Sequence, residues 1–210
     1  MYPFSSPTKK LKFFTSAYDF IREFDIEGDY FEFGIHQART FVMSLVESQR
    51  FQRKSMRHFA FDCFSGLPED KTDTENPNFN QGRFATSEES FKNLKSPYVS
   101  NWEKVQTIPG YYDKSLNNEL IRDLEQMNTK VALVNFDCDL PLSLKPALEF
   151  SSNFFVDGTI VYIDDWRNVS KGKEGQGLQE VWNDFVSEHN IQYSPFIPIG
   201  WWGISFIVNK

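Results

Sequence analysis

The chain has 210 residues, 40% of them hydrophobic, and carries a net charge of −7. That length suffices for one domain with a substantial core, and the acid excess without any basic stripe argues against nucleic acid as a partner. Two cysteines, Cys63 and Cys138, are too few for a disulfide scaffold or a cysteine zinc site, no apolar run is long enough to cross a bilayer, and the start MYPFSSPTKK lacks the apolar stretch of a signal peptide, so the expectation is a cytoplasmic protein with reduced thiols.

In chain order, the short basic pairs Lys9-Lys10 and Arg53-Lys54 read as solvated surface. Leu11 to Phe24 carries Phe13, Phe14, Tyr18, Phe20, Ile21 and Phe24 at mostly helical spacing, which predicts an amphipathic helix lying on a sheet or lining a substrate mouth. Tyr30 to Ile35 is the first strand. It stops at Gly34, and a helix from His36 to Gln49 follows, with Phe41, Val42, Leu45 and Val46 facing inward. A Glu32-x-Gly34 turn ahead of a helix N-terminus suits a cofactor, because glycine admits a close approach to the backbone and the helix end attracts negative charge. The full G-x-G-x-x-G is absent.

His58 to Asp62 is the second strand. An acid at its end can hold a ribose diol, since a carboxylate accepts two hydroxyl hydrogens at once, or it can cap the turn Ser65-Gly66-Leu67-Pro68. The polar stretch Glu69 to Gln81 reads as a long loop, of the kind that in compact domains is functional or mobile. Ser87 is an N-cap for a short helix, Glu88 to Leu94, and Val105 to Ile108 forms a third strand closed by Pro109-Gly110. A helix from Lys114 to Met127 follows.

Lys130 to Trp166 reads strand, acidic turn, helix, turn, strand. Val131 to Phe136 ends in Asp137-Cys138-Asp139, Leu140 to Phe155 has helical spacing, Asp157-Gly158 is a turn, and Thr159 to Ile163 ends in Asp164-Asp165. This is the pattern of a parallel βαβ unit, in which ligands bind off the carboxyl ends of the strands. Two adjacent strands would then aim Asp137, Asp139, Asp164 and Asp165 at one place. Such carboxylates repel unless a proton or cation sits among them, and an all-oxygen set suits a hard ion such as Mg2+. Glycines at 172, 175 and 177 precede a helix from Leu178 to Glu188, and Gln192 to Val208 reads as an antiparallel hairpin at the sheet edge.

Four motifs in this order, Tyr30-Phe-Glu-Phe-Gly34, Phe61-Asp-Cys-Phe-Ser-Gly-Leu-Pro-Glu69, Asp137-Cys-Asp-Leu140 and Gly158-Thr-Ile-Val-Tyr-Ile-Asp-Asp-Trp166, resemble the macrocin O-methyltransferase (TylF-type) family of class I S-adenosylmethionine-dependent methyltransferases. The resemblance covers roughly residues 28–170. It implies an α/β, Rossmann-like, doubly wound and mostly parallel seven-stranded sheet with an antiparallel C-terminal strand, in a single domain spanning residues 1–210. It also implies S-adenosylmethionine over the first strand ends, with Glu32 and Gly34 bordering its methionine part, Asp62 holding the ribose, and Cys63 and Phe64 near the adenine. His36 and Gly110, at neighbouring strand ends, join the cofactor contacts. Asp137, Asp164 and Asp165 would ligate a divalent metal, usually Mg2+. The acceptor would be a hydroxyl of a small molecule, a sugar or sugar-containing natural product, with no nucleic-acid or membrane partner and with a homodimer as an allowed assembly. Two departures stand out: His36-Gln37-Ala38-Arg39 replaces the small residues that often follow Glu-x-Gly, and Pro141-Leu142-Ser143 replaces the usual Tyr-Glu-Ser.

For the chemistry, Asp137 or Asp139 is the candidate base, ahead of His36. Trp166, Trp201 and Trp202 read either as stacking faces for an acceptor or as rim aromatics. A metal-dependent glycosyltransferase using Asp137-Cys138-Asp139 to hold a nucleotide-sugar is the alternative. An aspartyl-phosphate phosphatase fits less well, because too little chain follows the motif.

Overall fold

Seven strands form one sheet in the order β3-β2-β1-β4-β5-β7-β6. They are β1 (Asp29–Phe33), β2 (His58–Asp62), β3 (Val105–Pro109), β4 (Val131–Phe136), β5 (Phe155–Ile163), β6 (Gln192–Pro195) and β7 (Ile204–Asn209). The coordinates are a computed structural model, and the residues it describes are 7–69, 80–94, 99–167 and 177–210. The first five strands are parallel, and β7 runs antiparallel to both β5 and β6. The chain winds outward from β1 through β2 to β3, then crosses back to β4 beside β1. That reversal puts the topological switch point at the carboxyl ends of β1 and β4, outside which sheets of this kind bind ligands.

Every residue of β1 and β4 is buried, as the near-continuous apolar runs require of strands covered on both faces. On one face lie α1 (Pro7–Glu23), α2 (Arg39–Arg50) and α3 (Glu88–Lys92); on the other lie α5 (Asn118–Gln126), α6 (Pro141–Ser151) and α7 (Leu178–Glu188). Alternation along each strand sorts the side chains. Tyr30, Ile160 and Tyr162 pack toward α1 and α2, whereas Phe31, Phe33, Val161 and Ile163 pack toward α6 and α7. Phe33 stacks between its cross-strand partners Phe61, at 4.4 Å, and Phe136, at 5.2 Å, so much of the phenylalanine content is core directly beneath these strand ends.

Four expectations need adjustment. The helix after β1 starts at Arg39 rather than His36, because His36 and Ala38 both take positive φ in a turn closed by the Ala38 amide on the Ile35 carbonyl. The helix expected from Lys114 to Met127 is two pieces, α4 (Tyr112–Ser115) and α5; Leu116 leaves helical geometry, and the Asn117 side chain caps the second piece by accepting from the Glu119 and Leu120 amides. Helix α6 stops at Ser151 and passes through a 3-10 turn, Ser152–Phe154, instead of continuing to Phe155. Asp157-Gly158 is an irregularity inside β5 rather than a turn before it. The Thr159 hydroxyl donates to the Val131 carbonyl and accepts from the Val156 amide, holding the strand across the register shift. Most of the expected loop Glu69 to Gln81, and two of the glycines ahead of α7, Gly172 and Gly175, lie outside the described residues.

Candidate active site

The tips of β4 and β5 carry the acidic groups because their parallel register pairs Phe136 with Ile163, and each strand ends one residue later in aspartate. The Asp164 amide donates to the Phe136 carbonyl, which carries the ladder to its last rung. Asp137, Asp164 and Asp165 thereby bring one carboxylate oxygen each to within 4.8 Å of one another. Asp139 lies close enough to Asp165 for the two acids to act on each other's charge. Both Asp139 and Asp165 take positive φ, at 62° and 50°, in the turns that follow the strands. These are hard oxygen donors at a spacing compatible with a divalent ion, whose metal–oxygen distances run about 2.0–2.6 Å, so the residues present fit such an ion.

A cation is already among them. Lys10, in the first turn of α1, places Nζ 2.5 Å from Asp164 Oδ2 and 3.3 Å from Asp137 Oδ2. This corrects the reading of Lys9-Lys10 as solvated surface: Lys9 is exposed, but the Lys10 side chain retains only 16% exposure. The Tyr162 hydroxyl donates to Asp164 Oδ1 at 2.8 Å from the other side. Sequence reasoning missed both partners. Tyr162 stands two residues before Asp164 and so shares its face of β5, a signal that was available; for Lys10 no local signal exists.

The charges respond to this packing. Burial alone would raise Asp164, but the Lys10 ammonium and the hydrogen bonds from Lys10 and Tyr162 bring it below the ordinary carboxylate value. Asp137 is pushed well up by burial and by the charges of Asp164 and Asp165, with Lys10 opposing. Asp139 is raised by burial and by Asp165, and Asp165 is raised to about 6 by burial and by Asp164. Burial opposes the Lys10 charge, yet Asp137 and Asp164 hold the ammonium protonated above its usual value. The site thus combines one acid brought below its ordinary value, Asp164, with three neighbours raised above theirs.

The expected cofactor residues line the neighbouring turns. Gly34 has φ +88°, and a Cβ there would lie 1.9 Å from the Asp137 carbonyl oxygen. The close approach that demands glycine is therefore made by the chain's own β4 tip. Asp62 Oδ2 accepts from the Ile35 amide at 2.6 Å and Oδ1 from the Phe64 amide at 2.7 Å, so this carboxylate ties the turn after β1 to the turn after β2. Each oxygen keeps lone-pair capacity for a further donor. Glu32 is fully buried in mid-strand, where Thr40 Oγ1 donates to it at 2.6 Å and the Tyr30 hydroxyl also donates; burial raises it to about 7.

Cys63 is a free thiol whose Sγ contacts the Gly66 carbonyl at 2.9 Å, and Phe64 takes φ 55° and packs near Phe91. Gly110, with φ +131°, donates its amide to the Asp62 carbonyl. His36 turns its imidazole to the Phe84 carbonyl at 2.8 Å. His58 is buried, pushed down to about 3 by that burial, and so stays neutral. His189 pairs with Glu149, two turns along α6 from its start at the carboxyl edge. Trp166 packs edge-on against Phe206, whereas Trp201 is 64% exposed with the Arg167 guanidinium over its ring.

The sequence model of the macrocin O-methyltransferase (TylF) family matches residues 7–207. Among solved structures, the O-methyltransferase NovP superposes with a TM-score of 0.74 at 16% identity, covering 96% of this chain and 80% of its own. CalS11, a calicheamicin methyltransferase also described as a TDP-rhamnose 3'-O-methyltransferase, gives 0.66 at 19% identity, with 94% and 77% covered. TomG from Streptomyces achromogenes, an O-methyltransferase of tomaymycin synthesis solved in complex with SAM, gives 0.55 at 11% identity, with 95% and 80% covered. At these identities the likenesses establish the fold. No curated protein matches the chain by sequence. No helix among the described residues is long and apolar enough to cross a membrane.

Proposed function

Because the chain belongs to the macrocin O-methyltransferase (TylF) family and is an O-methyltransferase, we propose that it moves the methyl group of S-adenosylmethionine to a hydroxyl of a sugar or sugar-bearing natural product, with a divalent cation beside the reacting oxygen. The observation that carries this reading is the convergence of Asp137, Asp164 and Asp165 from two neighbouring strand tips, next to the turns after β1 and β2. Solved relatives in fold that act on TDP-rhamnose or bind SAM support the acceptor and cofactor classes. We read residues 1–210 as one methyltransferase domain.

In this scheme Glu32 and Gly34 would border the methionine part of the cofactor, Asp62 would hold its ribose, Cys63 and Phe64 would lie near its adenine, and His36 and Gly110 would add contacts at the neighbouring strand ends. Asp62 already fixes the two turns through their amides, so they are shaped before ligand arrives. A divalent ion held by Asp137, Asp164 and Asp165 would lower the pKa of an acceptor hydroxyl bound to it. Asp137 or Asp139, in its ionised form, would take the hydroxyl proton. The oxygen then attacks the methyl carbon as the sulfur–carbon bond breaks, and S-adenosylhomocysteine leaves.

Transfer of label from methyl-labelled S-adenosylmethionine to a panel of nucleotide sugars and glycosylated natural products, with and without EDTA, tests the reading. EDTA-sensitive labelling of a hydroxyl in at least one sugar-bearing acceptor supports it. Labelling confined to acceptors without sugars, or labelling indifferent to EDTA, would overturn the acceptor or the metal part respectively. The family match does not favour the glycosyltransferase alternative.

A further inference from the structure

Lys10 is poorly explained as a structural ion pair. The first turn of α1 contains two lysines and no acid, against the preference of a helix N-terminus for negative charge. Pro7, Thr8, Lys9, Leu11 and Lys12 are all exposed, and buried anchors begin only at Phe13 and Phe14. Over residues 7–12 the one side chain that reaches into the molecule is Lys10, and its Nζ sits between Asp164 Oδ2 and Asp137 Oδ2 at 2.5 and 3.3 Å. A divalent ion bound to those same oxygens would need the volume the ammonium fills, and two cations so close would repel strongly. The two occupants exclude each other.

We propose that Lys10 is a built-in counter-cation that closes the carboxylate site in the metal-free protein, so that entry of a divalent ion and withdrawal of the first turn of α1 are one event. The inference rests on the divalent-ion part of the proposed function and adds a regulation of that site. Metal-free protein keeps its carboxylates paired and stable, and metal frees a helix end beside the strand tips. Affinity for metal is correspondingly weaker than three converged carboxylates would otherwise give, because the lysine contacts must be broken first.

Calorimetric titration of Mg2+ and of Mn2+ into the wild type, Lys10→Met and Lys9→Met tests this, beside amine acylation followed by peptide mass analysis of the wild type. The expected results are at least tenfold tighter binding for Lys10→Met, no change for Lys9→Met, and a Lys10 that resists acylation without metal and becomes reactive when Mn2+ is added. The acylation arm uses unaltered protein and decides the matter even if Lys10→Met folds poorly. Equal metal affinity in wild type and Lys10→Met, or Lys10 reactivity unmoved by bound Mn2+, overturns the inference and leaves the metal reading intact. No metal binding by either protein overturns the metal reading, and the inference with it.

Discussion

Lys10 Nζ stands 2.5 Å from Asp164 Oδ2 although 154 residues separate them in the chain. The contact joins the first turn of the N-terminal helix to the tip of the fifth strand. It also sets the charge state of the site, since Asp164 is the one acid of the four whose pKa falls below its ordinary value.

Asp164→Asn should therefore separate metal chemistry from cofactor binding. It removes the ionised partner of Lys10 and one of three converging negative charges, while the Gly34 and Asp62 turns are untouched. Metal-dependent turnover should fall by about 100-fold or more, with S-adenosylhomocysteine affinity within about threefold of wild type. Equal loss of both in paired kinetics and calorimetry would contradict the assignment.

Gly34→Ala should destabilise the fold rather than merely weaken a ligand. The added Cβ meets the Asp137 carbonyl oxygen at 1.9 Å, and φ +88° is itself unfavourable for alanine. Backbone strain of this kind costs about 1–3 kcal/mol before the clash is added. A urea melt that moves by less than about 1 kcal/mol would show that β4 can shift to accommodate it.

For Asp62→Asn, one carboxylate oxygen that accepts an amide hydrogen is replaced by an NH2 group facing that same donor. Stability should drop by about 1–3 kcal/mol, the cost of leaving one buried amide unpaired. S-adenosylhomocysteine affinity should fall about tenfold, as expected for loss of one charge-assisted hydrogen bond to a ribose hydroxyl. A full loss of stability with unchanged affinity would leave Asp62 as a turn cap alone.

Glu32 provides a pH dependence with a definite sign. Burial raises it from 4.5 to about 7 in the folded protein. The native state then holds a proton that the unfolded chain has released, so this group's contribution is fully present below about pH 4.5 and is lost as pH rises through about 7. The span corresponds to a change on the order of 3 kcal/mol. Glu32→Gln should flatten the slope of unfolding free energy against pH between those values, as measured by denaturant melts. An unchanged slope would assign it to the aspartates.

The acidic tips were legible because the signal is local: an apolar run ending in aspartate places that aspartate at a strand end, and a helix between two such runs makes the strands parallel neighbours. Asp62 was open between ribose holder and turn cap, and the backbone amides of Ile35 and Phe64 supply the cap without excluding the other. What sequence could not reveal depends on long-range packing. Lys10 lies in a short mixed stretch whose exposed neighbours look alike, and only the docking of α1 on the face shared by Tyr30 and Tyr162 turns it toward the aspartates. The late start of α2 was hidden for another reason. His36 and Ala38 take positive φ without being glycine, so composition gives no warning of the turn.

The most direct measurement is calorimetric titration of the metal-replete protein with S-adenosylhomocysteine beside UDP- and GDP-sugars, repeated on Asp62→Asn. Saturable binding of S-adenosylhomocysteine that weakens in the variant is the expected result for a methyltransferase built on these turns. Binding of a nucleotide sugar with no heat from S-adenosylhomocysteine would contradict it.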